Sequence, residues 1–550
     1  MTVRSFDGWG RAPRICVLFP PEGAPGWADA AFWSALLEAW GVPAELIPAD
    51  RPEEAARHTT VIAPAVALDA PRAVIPSDLS PQGTSLLLVG GVPGPATVDR
   101  VRIEHARSLE RARACLPEPD AEGVVSIEAR RVGFEGDDGP WDVLARWLLE
   151  GSDAAGPPAV AIRRGADAAS VWFGISVEQV DGRSTEAVVS LAETALEHAA
   201  PAGLVALWRW PDAKAAALVV DGDVDHPTGV DPECSRYVAP ALETARRAGF
   251  NAYGIFVAAA NVDHEPASFP PAPGYYNHSY GHPYSHWDPR PWESLDEEEM
   301  ERELTRSDAT FRRQLGRGDE RVFRLPHFQL EASERTYAVL DRLGYLAESS
   351  IGANVSITAG LPYHPARRPW SERPADEAYA RTHPDPSRRH DLLQLPISTD
   401  PTDPGFLDGC CSYNTLGEGV RNRTADPAAY ETVLDDVVER AVARRSLAHL
   451  FIDPPDAGYG RLDGDTVDYA AAIERWLRRC VARDDLAILT TAGLAAWWRA
   501  REVTVGRLSW RVDDDALQVT IEDPPEGATL ALLPPHAAGE EPDAWRLETL

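Results

Sequence analysis

Short apolar runs alternate with amphipathic helical patterns over the second half of the chain, and this alternation limits the possible folds more than any other feature. The apolar runs, each of strand length, cover residues 252–257, 322–324, 392–395, 448–452 and 486–489. The helical patterns cover residues 295–315, 333–343, 428–444 and 469–483. Repeated β–α units of this length predict a parallel sheet that curls toward a barrel, with active side chains at the C-terminal ends of its strands.

The first 200 residues show a similar rhythm. Strand-like runs at residues 14–19, 60–63 and 85–89 accompany helical patterns at residues 30–40 and 185–198. They predict a doubly wound parallel sheet with helices on both faces. The layout resembles the glutamine-amidotransferase-like fold, but no cysteine or serine stands in a G-x-C-x-G or G-x-S-x-G turn that would expose a nucleophile. We therefore expect this domain to be non-catalytic.

Two further segments complete the predicted organisation. Residues 503–533 show short alternating runs, which predict a small antiparallel β segment. Residues 362–390 are rich in Pro, Arg and His without periodicity, so a long loop is expected there. The predicted α/β chain thus has a doubly wound domain at 1–203, a distorted (β/α) barrel at 204–502, and a β appendage at 503–550.

The composition excludes several partners. Asp and Glu (86) outnumber Lys and Arg (53), and the net charge of −33 would repel nucleic-acid phosphates. None of the six cysteines forms a C-x-x-C pair, so free thiols in a reducing compartment are expected. The first residues lack an apolar signal core, and no apolar run has the length of a membrane span. We expect a cytoplasmic protein with no nucleic-acid or membrane partner, whose oligomeric state is unknown.

Two motifs carry the residue types of a hydrolytic metal site. Asp221, Asp223 and Asp225 follow an apolar run, and His278 and His282 stand four residues apart further along the chain. That histidine spacing lets two side chains face one way across a single helical turn. Two imidazoles and a carboxylate, with an open coordination position, are the ligand set of a metal that activates water. The pattern therefore predicts a metal-dependent hydrolase.

Two later motifs complete a resemblance to a known family. Arg324-Leu325-Pro326 follows the long predicted helix, and His449 opens the run His-Leu-Phe-Ile-Asp-Pro late in the barrel domain. In this order the motifs resemble those of the polysaccharide deacetylase (NodB-homology) family, carbohydrate esterase family 4. The resemblance implies hydrolysis of a non-peptide carbon–nitrogen bond, namely deacetylation of an N-acylated carbohydrate or a related small amide.

The resemblance also implies a metal centre and a base. Asp225, His278 and His282 would hold a divalent metal, with zinc as the expected ion. Asp223 would serve as the general base for the attacking water.

Four more residues receive roles from the same resemblance. Arg324 would orient the base through charge-assisted hydrogen bonds. His449 would protonate the leaving amine, although the residue before the proline of its motif is Asp453, which is a second candidate for that step. Tyr280 and Pro326 would contact the substrate.

The residues themselves leave alternatives open. The aspartate run also contains the register Asp221 with Asp223, although Asp223 with Asp225 matches the D-x-D motif better. Three neighbouring histidines are further candidates to coordinate or line the cleft, namely His226, His264 and His286.

Two other functions fit the same pattern. The presence of Asp453 where the family has a histidine motivates a non-hydrolytic descendant that binds metal and carbohydrate. The lack of an export signal motivates a small-molecule amidohydrolase instead of an enzyme for a wall polymer.

Overall fold

The structure is a computed structural model, and it describes most of the chain. The described residues are 1–21, 24–64, 84–90, 93–103, 124–132, 141–148, 155–164, 168–176, 185–225, 234–283, 290–317, 320–326, 334–350, 364–370, 385–398, 426–452, 454, 469–536, 542 and 544–550.

The described strands fall into two large and two small sheets. In chain order they are β1 (Thr2–Asp7), β2 (Ile15–Phe19), β3 (Ala44–Pro48), β4 (Thr60–Pro64), β5 (Ser85–Val89), β6 (Pro93–Ile103), β7 (Val124–Val132), β8 (Trp141–Leu148), β9 (Ala155–Arg164), β10 (Ala169–Phe173), β11 (Leu204–Leu207), β12 (Ala216–Val224), β13 (Gly254–Val257), β14 (Gly274–Asn277), β15 (Val322–Phe323), β16 (Ala347–Glu348), β17 (Ala366–Trp370), β18 (Asp385–Gln394), β19 (Leu447–Phe451), β20 (Leu486–Ile488), β21 (Ser509–Asp513), β22 (Ala516–Ile521), β23 (Thr529–Leu533) and β24 (Arg546–Thr549).

The α-helices pack against these sheets. They are α1 (Trp27–Trp40), α2 (Thr185–Ala199), α3 (Val238–Arg247), α4 (Ala259–His264), α5 (Glu297–Leu315), α6 (Glu334–Arg342), α7 (Pro427–Arg444), α8 (Ala470–Val481) and α9 (Thr491–Val505). Of the helices within the described ranges, none has both the length and the apolar character that a membrane span requires.

The N-terminal sheet has the strand order β3-β2-β4-β5-β10-β9-β8-β6-β7. The strands from β3 to β10 in that order run parallel, as predicted, but the remaining four pair antiparallel with their neighbours. The prediction of a parallel sheet is wrong for these four strands. Only six residues separate β8 from β9 and four separate β9 from β10, fewer than the dozen or more that a crossover between parallel strands needs.

Helices α1 and α2 pack against one face of this sheet, in a core that includes Val17, Ile62 and Val171. The opposite face carries a second cluster that includes Val61 and Trp172. Helices on both faces are not confirmed among the described residues, and the glutamine-amidotransferase-like resemblance stays a prediction.

The second large sheet is a curled half-barrel with the order β17-β18-β16-β15-β14-β13-β12-β19, and β20 also pairs with β12. All neighbours run parallel except β17 and β18. The two ends of the curl approach each other where the Ser398 N–H donates to the His449 carbonyl at 2.8 Å. The predicted strands and helices of this part of the chain are confirmed at their expected positions.

The faces of β12 explain why polar groups collect inside the curl. Leu218 and Val220 point outward and share a core with α3, α7 and α8. Successive side chains on a strand alternate between the two faces. Val219, Asp221 and Asp223 therefore point inward, and the carboxylates lie toward the C-terminal end of the strand.

The segment predicted as a loop at 362–390 differs from the expectation, because β17 and β18 pair antiparallel within it. The pairing contains register shifts around Pro369, and such irregular strands lack the strict alternation by which a strand is recognised. Arg367 anchors β17 through ion pairs with Asp391 and Glu502.

The C-terminal segment is antiparallel, as predicted, but it is completed by strands from elsewhere in the chain. Strand β22 pairs with β21 and also with β1 at the N-terminus. Strand β23 pairs with β24 and with β11. The proposed boundaries between the three units stay predictions.

Arg501 on α9 joins the two large units. Its side chain is fully buried, and its guanidinium donates to the carbonyls of Glu38, Ala39, Leu207 and Trp208 at 2.9–3.4 Å. Two of these carbonyls belong to the last turn of α1, where helix carbonyls lack partners within the helix. The charge of Arg501 also suits the negative end of that helix dipole.

We expect Arg501→Met to destabilise the protein by on the order of 2–4 kcal/mol, because buried carbonyls would lose their donor. Urea unfolding followed by tryptophan fluorescence measures this change. Arg507→Met, at an arginine whose side chain is 52% exposed, is the matched control and should shift stability by less than about 0.5 kcal/mol. Equal stability of the two variants would contradict this role for Arg501.

A second buried contact joins β18 to α6. His390 lies between two carboxylates, with Nε2 2.6 Å from Glu334 and Nδ1 2.7 Å from Asp341. Burial opposes protonation of the imidazole, but the hydrogen bonds to Asp341 and Glu334 outweigh it and raise the pKa of His390 to about 9.

This raised pKa predicts a pH-dependent stability. Protonated His390 stabilises the folded state fully below pH 6.5, its ordinary pKa, and the contribution is lost as the pH rises toward 9. The loss should amount to roughly 3 kcal/mol, at about 1.4 kcal/mol per pKa unit. We expect the unfolding free energy of the wild type to fall more steeply between pH 6.5 and 9 than that of His390→Gln, and parallel curves would contradict the assignment.

Candidate metal centre

Three aspartates follow one another up the inner face of β12. Asp221 is fully buried and Asp223 is 3% exposed, whereas the side chain of Asp225, just past the strand, is 42% exposed. The run of carboxylates therefore leads from the interior of the half-barrel to its open end.

The two histidines of the H-x-x-x-H motif lie on a loop directly after β14. The expected helical turn is not formed, because Ser279 and His282 adopt left-handed backbone angles, with φ of 68° and 51°. Ser279 shapes the loop, since its N–H donates to Asn277 Oδ1 at 2.8 Å and its Oγ accepts the His282 N–H at 2.9 Å. Both imidazoles are 1% exposed and turn toward Asp225.

Asp225, His278 and His282 form a cluster of potential ligands. One donor atom from each lies within 4.8 Å of the other two. Asp225 Oδ1 is 3.2 Å from the Nε2 atoms of both histidines. The structure thus brings together the three residues that the sequence predicted as metal ligands.

The surroundings of His278 test whether this set suits a cation. Its Nδ1 is 2.9 Å from the Arg324 carbonyl, which can only accept a hydrogen bond. This contact places the proton of a neutral imidazole on Nδ1 and leaves a lone pair on Nε2. That lone pair faces the oxygens of Asp225 at 3.2 Å and Asp223 at 3.6 Å. Such an arrangement is favourable with a cation between the three groups, and histidine ligands of metals are commonly oriented in this way.

Arg324 lies beneath the cluster with no exposed surface. Its Nη1 donates to Asp223 Oδ1 at 2.7 Å and its Nη2 to Asp221 Oδ1 at 2.8 Å. Its Nε donates to the Ser349 carbonyl at 2.7 Å, and its guanidinium carbon lies 3.9 Å from the centre of the Phe256 ring. These contacts leave Asp223 Oδ2 on the side of His278.

The electrostatics distinguish the two inner aspartates. Burial is the largest influence on Asp223 and raises its pKa despite the nearby Arg324. Burial acts in the same direction on Asp221, but the charges of Arg324 and His449 outweigh it and lower the pKa of Asp221 to about 2. Asp221 is therefore held as an anion within the half-barrel.

His449 contacts Asp221 at the level below the cluster. Its Nε2 is 2.7 Å from Asp221 Oδ2, which also accepts from the Thr491 hydroxyl at 2.9 Å. In the pairing of β19 with β12, His449 is opposite Val219, four positions before Asp223. At about 3.3 Å per residue, the backbone of His449 therefore lies roughly 13 Å from that of Asp223 along the strand direction.

The sequence predicted Asp221 only as an alternative member of the D-x-D register, and not as the partner of His449. Its position inside the half-barrel could have been predicted, because residues two apart on a strand share a face. The partners of that face, His449 and Thr491, depend on how the strands pair.

The remaining candidate residues lie outside the three-residue cluster or outside the described part of the chain. The hydroxyl of Tyr280 donates to Asp263 at 3.1 Å, and the Arg306 guanidinium lies 3.5 Å from its ring centre. Pro326 is buried just after Arg324, and His264 ends α4 without joining the three-residue cluster. His226, His286 and Asp453 lie outside the described residues.

The chain has only weak similarity to known proteins. No family model and no curated protein matches the chain. Similar solved structures include a protein from Mycobacterium smegmatis described as a polysaccharide deacetylase, at 17% identity and a TM-score of 0.37, covering 53% of this chain and 93% of that one. Agd3, a carbohydrate deacetylase, is 9% identical with a TM-score of 0.42, covering 98% of this chain and 99% of its own.

A third structure is the Xyl-CE4 domain of a multidomain xylanase from the hindgut metagenome of Trinervitermes trinervoides. It is 9% identical with a TM-score of 0.25, covering 50% of this chain and 88% of that domain. The structural neighbours thus include carbohydrate deacetylases, at low identity and low TM-score. Because these TM-scores are below 0.5, we infer the function from the site itself.

Proposed function

We propose that the protein is a divalent-metal-dependent hydrolase that removes an acyl group from the nitrogen of a carbohydrate or a related small amide. The observation that carries this proposal is the orientation of His278. Its Nδ1 is committed to a carbonyl, and its Nε2 faces Asp225 and Asp223. Zinc is the proposed ion, since two histidines and one carboxylate are a common zinc ligand set in hydrolases.

The charge of the site supports a divalent ion. Three carboxylates, those of Asp221, Asp223 and Asp225, surround a single arginine, Arg324, so the site has more acidic groups than permanent positive charges. Charges in a buried site are costly unless they are compensated. A divalent cation on Asp225, His278 and His282 would compensate the excess negative charge.

Each residue of the site has a proposed task. When bound, the metal supplies Lewis acidity to an amide carbonyl and to water. Asp223 accepts the proton of the attacking water at Oδ2, while Arg324 holds Oδ1 and fixes the direction of the carboxylate. His449 remains a proposed proton source for the leaving amine, with Asp453 as the alternative.

Two residues are proposed to act at the substrate. Tyr280 lies between His278 and His282 in sequence, and Pro326 lies two residues after Arg324. The cytoplasmic location also remains part of the proposal, supported by the buried free thiols of Cys16 and Cys480.

One observation favours a second candidate, a non-hydrolytic protein that binds metal and carbohydrate. His449 is fully buried, and its Nε2 contacts Asp221. An acid that protonates a leaving amine must come within hydrogen-bond reach of it. The burial of His449 and its contact with Asp221 oppose such an approach, which favours a protein that binds without hydrolysis.

Acetate release tests the proposal. Protein stripped with a chelator and protein reloaded with Zn²⁺ would be incubated with N-acetylglucosamine oligomers and a panel of small N-acetyl amides. We expect release with the reloaded protein only. Stoichiometric metal without acetate or ammonia from any amide would favour the non-hydrolytic candidate, and a protein that binds no metal would refute both.

A further inference from the structure

The loop that carries both histidines is held in a strained conformation. Ser279 and His282 have φ of 68° and 51°, and a left-handed backbone costs a residue other than glycine roughly 1–2 kcal/mol. Such strain persists only where surrounding contacts impose it. The N–H groups of Ala259 and Ala260 at the start of α4 donate to the carbonyls of Ser279 and Tyr280 at 3.0 Å, and side chains on α5 supply further contacts.

Glu303 on α5 holds the middle of the loop. Its Oε2 accepts the N–H of Tyr280 at 3.1 Å and the N–H of Gly281 at 2.7 Å. These two amides lie between the two histidines in sequence. Hydrogen bonds to a charged carboxylate are about twice as strong as those between neutral groups, so one oxygen fixes two consecutive peptide groups.

Asn277 holds the start of the loop on the same helix. Its Oδ1 accepts the Ser279 N–H at 2.8 Å, and its Nδ2 donates to Asp308 at 3.0 Å and to the Leu304 carbonyl at 3.2 Å. Asp308 in turn accepts the hydroxyl of Tyr345 at 3.0 Å. The side chains of Asn277, Asp308 and Tyr345 are buried, so water does not compete for these hydrogen bonds.

We propose that Glu303 and Asn277 are positioning residues that set the histidine loop for metal binding before the metal arrives. This inference rests on the proposed metal centre. Helix α5 forms hydrogen bonds with the loop at residue 277 and again at residues 280–281. The Nε2 atoms of His278 and His282 then both point to Asp225 Oδ1 in the metal-free chain. The affinity for the metal then includes no cost of ordering the loop.

Zinc affinity measured by competition with a chromophoric chelator tests the inference. We expect Glu303→Ala to bind Zn²⁺ about 10–100-fold more weakly than the wild type, the usual effect of losing a residue that supports a ligand. Glu303→Gln keeps a carbonyl oxygen that accepts the two amides, and it should recover most of the affinity. Glu298→Ala on the same helix, at a side chain that is 91% exposed, should bind as the wild type does.

Hydrogen exchange of the metal-free proteins gives an independent readout. The amides of Tyr280 and Gly281 should exchange faster in Glu303→Ala than in the wild type and Glu303→Gln, while circular dichroism remains unchanged. Equal zinc affinity of Glu303→Ala and wild type would overturn this inference alone. A wild type that binds no zinc would overturn the proposed function, and this inference with it.

Discussion

Replacement of Asp223 by asparagine should reduce kcat for amide hydrolysis by about 10²–10⁴-fold, the range lost when a general base is removed. Asparagine keeps the shape of the side chain and an oxygen for Arg324 Nη1, which lies 2.7 Å from Asp223 Oδ1. It cannot accept a proton from water at the Oδ2 position. Acetate release at saturating substrate, with the zinc content of each protein determined in parallel, measures the effect.

The zinc content separates a lost base from a lost metal. Asp223→Asn should retain zinc, because Asp225, His278 and His282 are unchanged. Asp513→Asn, an exposed aspartate on β21, serves as the control and should keep full activity. A kcat for Asp223→Asn within a few-fold of the wild type would exclude Asp223 as the base.

Removal of the buried guanidinium should have the largest effect on stability. Arg324→Met leaves Asp221 and Asp223 buried without the cation that lies 2.7–2.8 Å from each. Breaking a buried ion pair by removing one partner costs on the order of 3–5 kcal/mol. Urea unfolding should show this loss, and activity should fall as well, because Asp223 loses its orientation.

Two companion variants test the cause of that loss. Arg324→Lys keeps the charge without the forked geometry and should be intermediate in stability. Adding Asp221→Asn to Arg324→Met removes one of the unpaired carboxylates and should recover part of the stability. If Arg324→Met unfolds with a free energy within about 1 kcal/mol of the wild type, the carboxylates do not depend on Arg324.

The sequence predicted the barrel elements well because their signals are local. Helix α5 begins at Asp296, which forms a reciprocal capping box with Glu299, and it ends at Gly316 with φ of 65°. Both are sequence-readable boundaries. Apolar runs such as β12 and β19 were recognised in the same way.

The metal ligands were also predictable, because residue type and spacing indicate them. The contact of His449 with Asp221 was not, since it follows from the register of β19 on β12. The conformation of the histidine loop was missed for a similar reason. A four-residue spacing fits a helical turn, whereas the observed loop is held by contacts with α4 and with α5, including those of Glu303.

The strand directions in the N-terminal sheet were also not predictable from local sequence patterns. Apolar runs predicted strands there, but the directions of β8 and β9 depend on connection length and pairing, which apolar patterns do not encode. The small sheets likewise pair β1 with β22, which are more than 500 residues apart in sequence, and β11 with β23, which are more than 300 residues apart.

The position of bound zinc tests the central claim most directly. Anomalous scattering from crystals grown with Zn²⁺ and measured at the zinc absorption edge would locate the ion. We expect one strong peak about 2.0–2.2 Å from Asp225 Oδ1 and from the Nε2 atoms of His278 and His282, with a coordination position open to solvent. A peak elsewhere with these three residues unligated, or no peak at all, would contradict a metal-dependent hydrolase at this site.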